Sequence, residues 1–176
     1  CVRGLVGSEM WIRDRCIERA NSTARLLLSA EWKRGPASPA LLKTLIEVLD
    51  VRMTYRFRYR ENFHRNAVLD LTITDETNPR SLAFQLDRAL HHVDRLPGYE
   101  VRPLRSEEMR LVMEAAHAVR MLTTDDLAAA TPRIVLAALK TVDDSMTKLS
   151  DALTNKYLVH SGVPRQFTDS SGGGSP

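Results

Sequence analysis

Four groups of polar residues in this chain have types and spacings that could do chemistry. Glu18 and Arg19 stand together among Ile17, Ala20 and Ala24, whose steps of three and four are helical. Glu18 shares a helix face with Arg25, seven residues on, and Arg19 points about 100° away from it. One of the pair is therefore expected inside and the other at the edge of the core, with Glu18 the inward one. A carboxylate held there can bind a cation or an amine, or act as a base. The same pair can instead join two helices, where buried ions specify register more than they add stability. Arg52, Arg56 and Arg60 recur every four residues beside Tyr55 and Tyr59. Such a row of like charges needs carboxylates, phosphate or open water. Asn78, Arg80, Ser81 and Gln85 fall in the first turns of an expected helix, with Asn78 as its cap and Pro79 at its first position. Free N–H groups at such a start favour anions. Arg80 and Gln85 need partners if buried, and a cluster with Glu18 or with Tyr55 and Arg58 would supply them. Tyr157 and His160 continue the seam of the last helix, where they cap the core or complete a site.

Much chemistry is disfavoured by what these groups lack. No Ser/His/Asp arrangement, glycine-rich phosphate loop or zinc spacing can be assembled, so no catalytic residue, metal or cofactor is expected. His91 and His92 have no carboxylate or third histidine at ligand spacing and are expected at the surface or an edge. The 25 basic and 22 acidic residues leave a net charge of only +3, spread along the chain, which argues against nucleic acid. No run of about eighteen apolar residues occurs, so no membrane-spanning helix is expected. Cys1 and Cys16 form neither a disulfide framework nor a metal site, and a reducing cytoplasm is the expected location. Cys16 reads as a small buried hydrophobe.

The elements that must position these residues read as helices. With 43% hydrophobic residues and few aromatics, the composition suits packed helices better than a sandwich of strands. The spacing predicts a helix over 14–34, stopped at Arg34-Gly35-Pro36. A second lies over 39–60, capped by Ser38 and burying Leu42, Leu45, Ile46, Leu49 and Met53. Residues 66–74 fit a short helix or a strand equally, and the helical context favours helix. Further helices are predicted over 79–95 and, after Ser106, to Leu122, then a capped turn at Thr124-Asp125-Asp126-Leu127. The last helix, 131–160, carries Val135, Leu139, Val142, Met146, Leu149 and Leu153 at alternating steps of four and three. That seam packs at a shallow crossing angle. The expected fold is all-α, an up-and-down bundle of five to seven helices with a long C-terminal one.

Ile17-Glu18-Arg19-Ala20, Met53-Thr54-Tyr55-Arg56-Phe57-Arg58-Tyr59, residues 66–85 with Asn78-Pro79-Arg80-Ser81, and the ending Leu149-Ser150-Asp151-Ala152-Leu153 to Tyr157 and His160 resemble the alpha-E domain family, helical proteins named for a Glu-Arg pair. The resemblance implies the C-terminal half of a two-part domain, over 16–167. It also implies an accessory role in bacterial systems with an ATP-grasp type amide ligase and transglutaminase-like proteases. Partners would be such a ligase, its peptide substrate or such a protease. An N-terminal half of the same family, or a second copy, would cover exposed positions among Leu26, Val48, Leu111 and Met121. The alternative is a ligand-binding or catalytic domain using a buried Glu/Arg/Tyr/His cluster. Residues 1–15, which look like a translated sequencing adapter, are set apart from the domain. Residues 168–176 are expected to be a disordered tail. Without residues 1–15 the balance is 22 basic to 20 acidic residues, weaker still as a basic signal.

Overall fold

The computed structural model describes residues 2–30, 32, 37–60, 63–95, 104–129 and 132–157, with side chains from Asp14 to Lys156. Four long helices form its frame: α1 (Val2–Ser29), α5 (Leu82–Asp94), α6 (Glu107–Arg120) and α8 (Arg133–Tyr157). Each packs on two others, in the ring α1, α5, α6, α8. Side-chain contacts fix their directions. Arg25 meets Asp143 while Asn21 meets Thr147, so α1 and α8 run antiparallel. Asp87 with Arg120 and Asp94 with Arg105 set α5 against α6 in the same way. Glu114 with Ser145 and Glu108 with Lys156 do so for α6 and α8. The result is an up-and-down bundle, with no strand among the described residues.

Its core is one continuous apolar cluster from Cys16 to Leu153. All six seam residues of α8 are buried, as their heptad spacing predicts. Ile17, Ala20, Ala24 and Leu27 of α1 face them. Between α1 and α5 the chain makes α2 (Pro39–Val48), α3 (Arg52–Tyr59), α4 (Arg65–Leu69) and a π-helix (Asp70–Thr74). The short α7 (Thr124–Ala128) precedes α8. The π-helix packs on α5 and α6, and α4 packs on α7, whose terminal carbonyls at Ala128 and Ala129 accept from the Arg65 guanidinium.

The structure corrects several expectations about elements. The first helix starts earlier than residue 14 and ends at Ser29 instead of 34. The chain then folds back to bury Trp32, whose indole N–H donates to the Leu27 carbonyl at 2.6 Å. That burial of a large aromatic with its polar atom satisfied competes with further helix. The predicted helix over 39–60 is two helices. Val51 N–H donates to Ile46 and Asp50 N–H to Glu47, the paired bonds of a Schellman ending, with Asp50 at φ 54° in the left-handed position. The break re-aims α3: Met53, expected in the buried stripe, is 80% exposed, and Tyr55 is buried in its place. Residues 66–74 are helical, but their second half is π-helical. α5 starts at Leu82 with Ser81 as its cap, accepting from Phe84 N–H, so Asn78 and Pro79 do not start it. Ser106 caps α6, and Thr123 with Asp126 makes a capping box for α7.

Of the four positions expected to be uncovered, Val48 and Met121 are exposed, while Leu26 and Leu111 pack partly against the core. Among the described residues no helix is long and apolar enough to cross a membrane.

Candidate functional site

The turn between the π-helix and α5, residues 75–81, gathers more of the sequence-predicted site residues than any other place. A π-helix leaves its last carbonyls without regular partners, and Asn78, buried at 3% exposure, answers one of them. Its side-chain N–H donates to the Leu71 carbonyl at 2.8 Å, and its oxygen accepts from Arg80 N–H at 3.1 Å. Asn78 thus clamps the turn from inside, a role that needs both halves of the amide. Gln85, buried one turn into α5, donates to the Pro79 carbonyl, and its Oε1 has no partner among the described residues. Arg80 leaves the cluster: its guanidinium pairs with Asp50 at 2.7 Å on the surface, bracing the left-handed turn between α2 and α3.

Arg58 reaches the same turn from α3. It pairs with Asp75 and donates to the Thr77 hydroxyl at 2.7 Å. Burial alone would raise the Asp75 pKa, but hydrogen bonds from the Thr77 hydroxyl and backbone, with the Arg58 charge, bring it below the ordinary carboxylate value. Next to it, Tyr59 donates its hydroxyl to Asp70 at 2.6 Å, and Thr74 donates to the other oxygen of that carboxylate at 2.6 Å. Burial, then the Asp70 hydrogen bond and charge, push the Tyr59 phenol up to about 12. Tyr59 therefore keeps its proton at neutral pH and serves as a donor. Tyr55 is fully buried, its ring centroid 5.2 Å from Tyr59 and 5.4 Å from Phe63, and its hydroxyl accepts from His64 N–H at 3.1 Å. These contacts clasp α3 to the π-helix and the turn. They contain neither a nucleophile beside a base nor a free charge aimed into a cavity.

The remaining site residues stand elsewhere. Glu18 is exposed on α1 and Arg19 is half-buried beside it, so the inward carboxylate is not observed. The inner face of α1 is filled by Cys16, Ile17, Ala20 and Ala24, and Glu18 falls on the side away from them. Among the described residues, no hydrogen bond or ion pair joins Glu18 or Arg19 to the turn. Burial raises the Cys16 thiol pKa, as befits a core residue. Tyr157 closes α8, but its side chain, and all of His160, lie outside the described residues. His91 is exposed as expected, whereas His92 is buried on the inner side of α5.

Sequence reasoning missed Tyr59, Asp70, Thr74, Asp75, Thr77 and Asp50 as members of these networks. Asp75-Glu76-Thr77 did carry a signal, since an Asp that accepts from the backbone two residues on is a turn former. Asp70 carried none, because its partner Tyr59 arrives from another helix. A groove of about 510 Å³ lies between α5 and α6. Leu90, Met109 and Met113 supply its apolar lining. Asp87 pairs with Arg120 at one end at 2.9 Å and Asp94 with Arg105 at the other at 3.9 Å, and His91 and His117 stand between them. Among the described residues no group of three His, Cys, Asp or Glu is placed to hold a metal ion.

A family model described as a predicted alpha-helical domain with a conserved ER motif, Alpha-E, matches residues 13–158. Glu18-Arg19 is the Glu-Arg pair within that span. No curated protein and no solved structure matches the chain.

Proposed function

The chain belongs to the Alpha-E family, and from that premise we propose that it is a non-catalytic interaction module. It serves an ATP-grasp type amide ligase and a transglutaminase-like protease in the bacterial cytoplasm. The observation that supports this reading is the division of labour between inside and outside. Most polar residues that first suggested chemistry hold helices together, while Phe57, Met53, Met121 and Val48 stand in solvent at 91, 80, 64 and 62% exposure. Large apolar side chains so exposed on or at the ends of helices are candidates for contact with another protein. Such a partner includes the N-terminal half of the same family or a second copy.

Co-expression of the full chain with the ligase and the protease of its own genome, followed by size-exclusion chromatography, tests the reading. Co-elution with either partner is expected. Separate elution of all three, with no change in ligase turnover when the chain is added, overturns it. A second reading, ligand binding, has the α5–α6 groove in its favour, because apolar lining flanked at each end by an Asp–Arg pair offers both signs of charge to a small zwitterion. Chemical-shift changes confined to Leu90, Met113 and His117 on titrating amino acids would favour that reading.

A further inference from the structure

We infer that the groove between α5 and α6 binds a short peptide with free ends, about three residues long and apolar in the middle. Its ammonium lies at the Asp87 end and its carboxylate at Arg105. The inference rests on the ligand-binding reading of this groove and names the class of ligand. Asp87, Leu90, His91 and Asp94 follow one another on α5 at steps of three or one, four from Asp87 to His91, and share one face of that helix. Met109, Met113, His117 and Arg120 do the same on the antiparallel α6, at steps of four, four and three. The two faces bound about 510 Å³, a size in the range of small-molecule sites. From Asp87 to Asp94 the helix rises about 10 Å, which sets the distance between the charged ends. A free amino acid carries both charges on one carbon and meets one end only. An extended chain of three residues spans both, at about 3.3–3.6 Å per residue.

The two ends differ in charge, and the difference sets the direction of the peptide. At one end Arg120 stands 2.9 Å from Asp87 and 3.6 Å from Glu76, so two carboxylates share one guanidinium. A further cation fits there, and the peptide ammonium supplies it. At the other end Arg105 reaches Asp94 only at 3.9 Å, with the two side chains 67% and 68% exposed. Such a pair is worth little, and a peptide carboxylate that meets both N–H groups of the guanidinium can replace it. Between the ends, the imidazoles of His91 and His117 make no hydrogen bond among the described residues. A neutral imidazole has one donor and one acceptor, the complement of a peptide amide. Met109 and Met113, flexible side chains beside Leu90, adapt to more than one apolar side chain. An internal stretch of a protein lacks both charged ends, and a phosphate ester meets surplus negative charge at the Asp87 end.

The test titrates the full chain with alanyl-leucyl-alanine and follows the methyl chemical shifts of Leu90, Met109 and Met113. Changes confined to the groove are expected, and acetylating the amine or amidating the carboxylate of the peptide is expected to cost about ten-fold each in affinity. Free leucine is expected to bind about ten-fold more weakly than the tripeptide, since it meets one end only. Arg105→Gln is expected to bind the free and the amidated peptide alike, and Glu76→Gln to lose preference for the free over the acetylated one. Both positions are exposed, and circular dichroism checks that the variants keep the fold. Equal binding of the free and the doubly capped peptide overturns the inference, as does an Arg105→Gln variant that still discriminates against the amide. If leucine binds in the groove as tightly as the tripeptide, the inference is wrong while the ligand-binding reading stands. If neither leucine nor a large excess of peptide shifts the groove residues, that reading falls with the inference, and the interaction-module reading is untouched.

Discussion

At the scale of the residue, similar arginines on one short helix have unlike energetic roles. Arg58 faces an Asp75 side chain that is only 7% exposed, whereas Arg52 faces Glu47 across solvent. Removing Arg58 leaves a nearly buried carboxylate short of a partner, and Arg58→Ala is expected to cost about 1–3 kcal/mol in urea denaturation. Arg52→Ala is expected within about 0.5 kcal/mol of wild type. Equal midpoints for the two would mean that Asp75 does not depend on Arg58. Tyr59 gives a pH dependence of known direction. Its phenol holds the proton more tightly in the folded chain, to about 12 against 10.0 for the free group. The stability this contributes is complete below pH 10 and is lost as the pH rises from there toward 12. Tyr59→Phe is expected to flatten the stability curve over that window. An unchanged slope would show that the phenol does not respond to folding.

Elements of this chain end where the backbone takes conformations that side chains alone would not favour. Asp50 and Arg60 both have positive φ, 54° and 60°, and Asp50 completes its ending with two backbone bonds and the pair to Arg80. Arg60, with ψ at −136°, lies in a region that suits glycine far better. Arg60→Gly is expected to raise stability by about 1 kcal/mol, a shift of roughly 2–4 °C in Tm for a domain of this size. A lower Tm would place the Arg60 side chain in a contact worth more than its backbone strain. The turn before α5 invites a comparison of two small polar residues. Ser81→Ala removes the cap on Phe84 N–H and the hydroxyl that donates to the Asp75 carbonyl, at about 1–2 kcal/mol, whereas Asn78→Ala strips a larger amide from a buried carbonyl and a backbone N–H. The Asn78 loss is expected to be the larger, at about 2–3 kcal/mol. The reverse order would restore Asn78 to the role of helix cap.

The whole molecule depends on the ring of four helices and on α8 above all, since it packs on both α1 and α6. Leu149, fully buried on its seam, has no solvent side onto which a smaller residue could relax. Leu149→Ala is expected to cost about 2–5 kcal/mol and to lower the unfolding of α1 and α6 together, in one transition by circular dichroism and fluorescence. Two separate transitions would mean that the small helices between α1 and α5 fold independently of the bundle. Val48→Ser and Met121→Ser, at exposed positions, are expected to leave that transition nearly unchanged.

Helix type, the apolar stripe of α1, the Leu42, Leu45 and Ile46 stripe and the Ser38 cap of α2 and the whole seam of α8 were legible in the residues, because periodicity and caps depend on neighbours within a turn or two. The site was legible only in fragments. Asn78 reads as a helix cap and Gln85 as a group that needs partners if buried; both are buried, and their partners are carbonyls that a π-helix and a turn set free, geometry that spacing does not reveal. Met53 left its predicted stripe because an aspartate accepted a left-handed backbone at position 50. Glu18 reads as inward only if the pair is taken as a cluster. Packing gave the inner side of α1 to Cys16, Ile17, Ala20 and Ala24, which lose no charge hydration when buried, and left the carboxylate in water. Which arginine is a clasp and which is a surface was decided by the tertiary structure alone, since Arg52, Arg56 and Arg58 differ only in what the rest of the chain places opposite them.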